Sequence, residues 1–119
     1  MLILYNSRKI KNLNIDFDEI GPWWGKNKEG GTEEIEIIAN NKTTRQMILC
    51  EAKWTNKQVD VKDVKDLDRK SKLINATGTI HYLFVSKSGF SAECIDYMDG
   101  NGMAHLDLGE ITELFDKAA

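Results

Sequence analysis

The chain has 119 residues and 13.5 kDa, which is the size of one domain, and 41% of its residues are hydrophobic, enough to bury a core. Charged residues make up 29% and there is a single proline, so a disordered or Pro-rich linker is excluded. The net charge of −3 excludes a strongly basic nucleic-acid binder, yet residues 53–72 carry seven Lys/Arg against four Asp/Glu, while residues 93–119 carry one Lys against seven acids. Apolar runs stop at four or five residues, too short for a membrane span, and the first four residues lack the flanks of a signal peptide. Cys50 and Cys94, far apart in apolar surroundings, read as reduced core thiols of a cytoplasmic protein.

Residues 1–12 give an apolar start and then a basic polar stretch too short for a full helix with caps. Alternation at Leu13, Ile15 and Phe17 predicts a strand within residues 13–24 that Gly21-Pro22 breaks, and residues 25–32 read as a loop. Residues 33–39 and 46–54 are β-branched and apolar runs joined by a polar loop, a hairpin whose second strand is buried on both faces. Asp60 then caps a helix to about Asn75, with Val61, Val64, Leu67, Ser71 and Ile74 on one face and residues 76–78 closing it. A strand over 79–86 and a turn at 87–89 precede a short helix from the Ser91 cap to Met98. A turn at 99–102, a strand over 103–108 and a terminal helix over 110–117 complete a mixed α/β sheet with packed helices.

Strand parity sorts the hairpin side chains. Glu34 and Glu36 share one face and Ile35, Ile37 and Ala39 the other; Met47, Leu49, Glu51 and Lys53 share a face opposite Ile48, Cys50, Ala52 and Trp54. Pairing Glu36 with Glu51 centres the hairpin between Thr43 and Thr44, inside the polar loop, so two acids and a lysine converge at one end. Buried charges cost several kcal/mol unless paired or metal-bound. Neighbouring carboxylates repel, a hard divalent cation such as Mg²⁺ or Mn²⁺ relieves that repulsion, and a lysine beside it can stabilise a phosphate. An acid followed by Glu-x-Lys is the set that metal-assisted phosphodiester hydrolysis needs. Glu-x-Lys alone is common, and a charged pair at a sheet edge satisfying each other across strands is the competing reading.

The string Glu34-Ile35-Glu36-Ile37-Ile38-Ala39 with Ile48-Leu49-Cys50-Glu51-Ala52-Lys53-Trp54 resembles the active-site hairpin of the PD-(D/E)XK nuclease superfamily. With Ile20-Gly21-Pro22-Trp23-Trp24 upstream and Val85-Ser86-Lys87-Ser88-Gly89-Phe90-Ser91 downstream, the chain is most similar to the nuclease-like C-terminal domain of archaeal AAA-type ATPases, over roughly residues 19–108. The resemblance implies a restriction-endonuclease-like fold spanning residues 1–119 as a single domain. It implies a Mg²⁺- or Mn²⁺-dependent DNA nuclease with Glu36 and Glu51 on the metal and Lys53 as the catalytic lysine. Gln58 and Glu34 are accessory positions, Gln58 where some relatives orient water or phosphate. Glu36 replaces the more usual Asp, and Pro22 stands where a basic residue is expected. The superfamily's first helix has too few residues here, which implies a minimal version or a homodimer whose second copy covers the surface. The alternative function is a catalytically inactive DNA-binding or oligomerisation module serving an ATPase partner.

Trp23 and Trp24 could stack bases, although a Trp pair beside a break more commonly puts one ring in the core. His81 and His105 lack metal-ligand spacing, and Asp99-Gly-Asn-Gly departs from a calcium loop at Met103 and Ala104, so these read as structural.

Overall fold

The structure, a computed structural model, describes Ile10, Leu13, residues 17–74 and residues 78–118. The element order is β1 (Glu19–Lys26), β2 (Thr32–Asn41), β3 (Gln46–Lys53), α1 (Val61–Ser71), β4 (Thr79–Ser86), α2 (Ala92–Gly100), β5 (Ala104–Asp107) and α3 (Leu108–Ala118). The five strands form one sheet in the order β1-β2-β3-β4-β5, with β1–β2 and β2–β3 antiparallel and β3–β4 and β4–β5 parallel. Helices must carry the chain back between parallel neighbours, and α1 and α2 do so. The element order follows the sequence pattern throughout.

Two apolar layers sandwich the sheet. On one side Leu49 and Phe84 pack with Val64 and Leu67 of α1 and Cys94 and Met98 of α2. On the other, Ala39, Ile48, Cys50, Leu83 and Val85 pack with Ile10 and Leu13, and Ile111 of α3 rests against them. β3 lies in the middle of the sheet and is covered on both faces, which is why its sequence is a continuous apolar run instead of an alternation. The two cysteines are free thiols in opposite layers, so the sheet itself separates them. No helix among the described residues is long and apolar enough to cross a membrane.

Several expectations need correction. Gly21-Pro22 does not break a strand: β1 runs through both residues, because it is an edge strand and the ladder is irregular there, where a proline without an N–H is tolerated. Leu13 and Phe17 lie outside any strand, and Ile15, like residues 1–9, 11, 12, 14 and 16, lies outside the described ones. The expected loop over 25–32 contracts to a tight turn at 27–31. There Asn27 Oδ1 accepts the Glu29 and Gly31 N–H groups at 3.0 and 2.9 Å, and Gly30 takes φ +82°. Helix α1 ends at Ser71 instead of Asn75, with the chain turning at once through 72–74.

The hairpin register is as the pattern requires. Ile37 pairs with Cys50 and Ala39 with Ile48, while Asn41 Oδ1 closes the turn by accepting the Thr43 and Thr44 N–H groups at 3.1 Å. The facing of β2 is different from simple parity. Gly21 pairs with Ile38 but Trp23 with Ile35, so three steps along β2 oppose two along β1, and the extra residue falls within Glu36-Ile37. This bulge resets the alternation. Ile35 therefore packs on the α1 side with Leu49, while Ile37 and Ala39 pack on the opposite side, and the three do not share a face.

Leu49 is fully buried at the centre of β3, so Leu49→Ala should lower the free energy of unfolding by about 3 kcal/mol. The Tyr82 hydroxyl, 3.0 Å from Asp68 Oδ1 and 2.9 Å from Ser71 Oγ, ties β4 to the end of α1, and Tyr82→Phe should cost about 1 kcal/mol. Urea denaturation with an unchanged m-value checks both.

Candidate functional site

The charged end of β3 is where the fold departs from an ordinary core. Glu51 is only 8% exposed, following Ile48, Leu49 and Cys50 in the strand's buried stretch. Lys53, two residues on and so on the same face, is exposed. Both sit on a central strand, so the reading of a charged pair at a sheet edge does not hold. Continuing the observed register by one step sets Glu36 opposite Glu51. Glu36 belongs to the bulge and is solvent-exposed, and its charge acts on both sides of the sheet. It adds to the upward shift of Glu51 on the α1 side and of the Cys50 thiol, pushed up to about 12 chiefly by burial, on the other.

Helix α1 lays a charged flank over this end. Asp63, Asp66 and Lys70 recur at i, i+3 and i+7, beside the buried stripe of Val64, Leu67 and Ser71, whose two apolar members hold the helix on the sheet. Asp63 also accepts the Asp60 N–H at 3.0 Å, fixing the first turn. Lys70 Nζ lies 3.8 Å from Glu51 Oε1 and 3.7 Å from Asp66 Oδ2, and it donates to the backbone oxygen of Glu34 at 3.1 Å. Arg69 clamps Glu33 through two bonds of 2.6 and 2.5 Å while also meeting Asp66 at 2.8 Å. That clamp holds the Glu33 carboxyl down at about 2. Sequence reasoning passed over Lys70 because a basic residue in the last turn of a helix reads as solvated dipole compensation. The signal that finds it is its place on the same flank as Asp63 and Asp66.

Beyond β3 the chain is tied to the turn after β4. The Lys87 N–H donates to the Lys53 oxygen at 3.1 Å, Val59 N–H to the Gly89 oxygen at 3.0 Å, and Ser91 N–H to the Val59 oxygen at 3.1 Å. The Ser88 hydroxyl also donates to the Thr55 oxygen. Inside the turn, fully buried Ser86 donates to the Gly89 oxygen at 2.8 Å, and Gly89 adopts φ +78°, a conformation that favours glycine. Residues 86–91 thus brace the strand end that carries Lys53. A notch of about 170 Å³ opens there, lined by Lys53, Thr55, Lys57, Gln58, Val59 and Asp63, so Gln58 and Lys53 meet in one place. Glu34 stands apart: its Oε2 accepts the Trp24 indole N–H at 2.9 Å. Trp23 packs against the α1-side core while Trp24 is exposed, and Trp54, just past the end of β3, is 56% exposed.

Other regions offer less chemistry. An open trough of about 530 Å³ beside β1 is bounded by Pro22, Trp23, Ile38, Met47 and Ile74, with Glu19 as its one charged residue. His81 meets Gln46 at 3.1 Å across β3 and β4, and His105 meets Asp99 at 2.9 Å. Among the described residues no group of three or more His, Cys, Asp and Glu side chains is arranged to hold a metal. The donor set at the end of the hairpin is two carboxylates, Glu36 and Glu51. That set suits a hard cation retaining most of its waters and does not suit zinc.

Burial pushes the Glu51 carboxyl above its ordinary value. Lys70 opposes this, Glu36 adds to it, Lys53 opposes it and Asp66 adds to it. The native state consequently holds a proton on Glu51 at pH values where the unfolded chain has released it, and stability falls as pH rises through that window. In the presence of a chelator, Glu51→Gln should raise the melting temperature at pH 7, and the gain should shrink as pH falls and vanish below the ordinary carboxylate value of about 4, where both states of the wild type are protonated. Thermal melts at the two pH values check the sign.

A crystal structure of a protein of unknown function, AF1548, superposes over 99% of this chain and 67% of its own, with a TM-score of 0.64 at 14% identity, which shows a shared fold. An uncharacterized protein of Methanocaldococcus jannaschii, MJECL04, is 38% identical over 73 residues, 60% of this chain. The chain spans only 16% of the length of that relative. Residues 1–65, through β3 and the start of α1, match DUF234, a family of archaeal and bacterial proteins of unknown function. With more than half of its length matched, the chain belongs to that family.

Proposed function

We propose that this chain is a metal-dependent nuclease domain of the PD-(D/E)XK type, with a restriction-endonuclease-like fold, that hydrolyses DNA phosphodiester bonds. The observation that carries the reading is a nearly buried carboxylate, Glu51, two residues from an exposed Lys53 on one face of the central strand, with the Glu36 charge acting on it from just beyond the last ladder pair, Ile37–Cys50. Burying a carboxylate costs free energy that an ordinary core residue would not incur, and such costs concentrate at functional sites.

In this reading Glu36 and Glu51 hold Mg²⁺ or Mn²⁺. When bound, the cation supplies the Lewis-acid charge that activates water and neutralises the phosphate. Lys53 reaches the same face from two residues along and places an ammonium beside the scissile phosphate. Gln58, lining the notch with Lys53, orients the attacking water or a phosphate oxygen. Lys53, Lys57 and Lys87, all exposed around the braced loops, meet the DNA backbone, which offsets the acidic net charge by concentrating positive charge where phosphates arrive. Glu34, engaged by Trp24, is an outer acid without a ligand role. MJECL04 is far longer than the matched segment, and in this proposal the domain acts within a larger assembly, with the ATPase partner that its resemblance to the archaeal ATPase C-terminal domain implies.

A second reading is favoured by one observation: Lys70 already neutralises Glu51. Under it the chain is a catalytically silent module that keeps the fold for binding or oligomerisation.

Incubation of the protein with plasmid, linear and single-stranded DNA in Mn²⁺ separates the two. The nuclease reading expects cleavage that falls about a hundredfold or more in Lys53→Ala. Equal trace cleavage by wild type and variant overturns it. Mn²⁺ should also raise the melting temperature of the wild type and leave that of Glu51→Ala unmoved, since a ligand stabilises only the state that binds it.

A further inference from the structure

We infer that the Lys70 ammonium is the resident counter-cation of Glu51, which a divalent cation must displace, so that Lys70 sets the metal affinity of the site. The inference rests on the metal-binding reading above and extends it to a residue outside the acid and Glu-x-Lys set. Lys70 Nζ sits 3.8 Å from Glu51 Oε1, and the two side chains are only 17% and 11% exposed. A pair so covered is weakly screened, and the ammonium, hydrogen-bonded to the Glu34 backbone oxygen at 3.1 Å, stands within ion-pair range of the carboxylate that would bind the metal. Two like-charged cations cannot share that carboxylate without repulsion. Arg69, the neighbouring cation, is held by Glu33 and Asp66 and does not take Lys70's place.

The ammonium is already shared with a second acid that can hold it when Glu51 takes a metal. Asp66 Oδ2 lies 3.7 Å from the same ammonium, one turn earlier on α1, while Asp66 Oδ1 is taken by Arg69. Rotation about the lysine stem carries the charge from Glu51 toward Asp66 with no movement of the helix. Glu51 therefore has a cation in either condition, Lys70 in the metal-free protein and the metal in the loaded one. Lys70 is a positioning residue here: it acts on the metal through Glu51 and Asp66.

The test is Mn²⁺ binding to the full chain, read from the electron paramagnetic resonance of free Mn²⁺ during titration. Lys70→Met keeps the apolar stem and removes the charge, and it should bind Mn²⁺ about tenfold or more tightly than wild type. Lys70→Arg, which keeps the charge, should bind no more tightly than wild type. Asp66→Asn, which removes the alternative partner, should bind more weakly. Loss of a merely structural lysine would lower stability and would not raise metal affinity. Wild type and Lys70→Met binding Mn²⁺ equally, or the variant binding more weakly, overturns the inference and leaves the metal site standing. Absence of Mn²⁺ binding in wild type and in a folded Lys70→Met overturns both. Should circular dichroism show Lys70→Met unfolded, Lys70→Gln carries the same expectation, and affinity no higher than wild type overturns the inference.

Discussion

The arrangement turns on a carboxylate that the fold keeps out of water. β3 is covered by apolar layers on both faces, and Glu51 continues that buried stretch before the strand emerges at Lys53. A negative charge at such a position needs a positive one nearby, and the surrounding elements answer that need. α1 brings Lys70 within 3.8 Å, Lys53 lies two residues along the strand, and both oppose the upward shift that burial imposes. Glu36 and Asp66 work against them, adding negative charge where there is already too much. Stability alone would favour an apolar side chain at position 51. An acid at that position with more acids around it carries a cost in stability that the proposed metal-binding role would account for.

The bulge in β2 determines how that site is presented. Without the extra residue, strict alternation along β2 would keep Ile35 with Ile37 and Ala39, and Glu33 would move away from α1. With it, Ile35 joins the α1-side core and Glu33 meets Arg69. The bulge itself falls at Glu36, leaving that residue solvent-exposed beside the buried Glu51. Bulges re-aim side chains next to functional sites in many sheets, and here one falls at the acid just beyond the last hairpin pair, Ile37–Cys50, whose charge acts on Glu51.

Much of this was legible in the residues. The hairpin register followed from matching Glu36 with Glu51 about a polar turn, and the ladder keeps the same pairing sum. The double burial of β3, the Asp60 and Ser91 helix starts and the bounds of β4 followed from apolar runs and capping residues. What was not legible depended on partners distant in sequence. Pro22 stays within a strand because β1 is an edge, a property of the whole sheet that a local Gly-Pro signal does not contain. The bulge arises between β1 and β2, so alternation within β2 alone could not announce it. Lys70 becomes part of the site only when α1 is laid across β3, since its own neighbours in sequence present it as a surface residue. The resemblance marked Gln58 only as an accessory position near the start of the helix; the hydrogen bonds from residues 87–91 that brace the notch it shares with Lys53 come from after the crossover.

These features bring the two functional readings down to a single competition. The same sheet, bulge and braced strand end serve a nuclease or a silent module equally well, as expected when a fold is a scaffold and activity resides in a few side chains. What differs is which cation neutralises Glu51. If the Lys70 ammonium holds the carboxylate against every divalent ion, the buried acid is a structural charge pair and Lys53 is a surface lysine. If a divalent ion displaces it, the same carboxylate becomes a metal ligand with Lys53 beside it, and no strand or helix has to move. A change at one position on α1 could therefore convert one kind of domain into the other, because the burial of Glu51 demands a cation without dictating which.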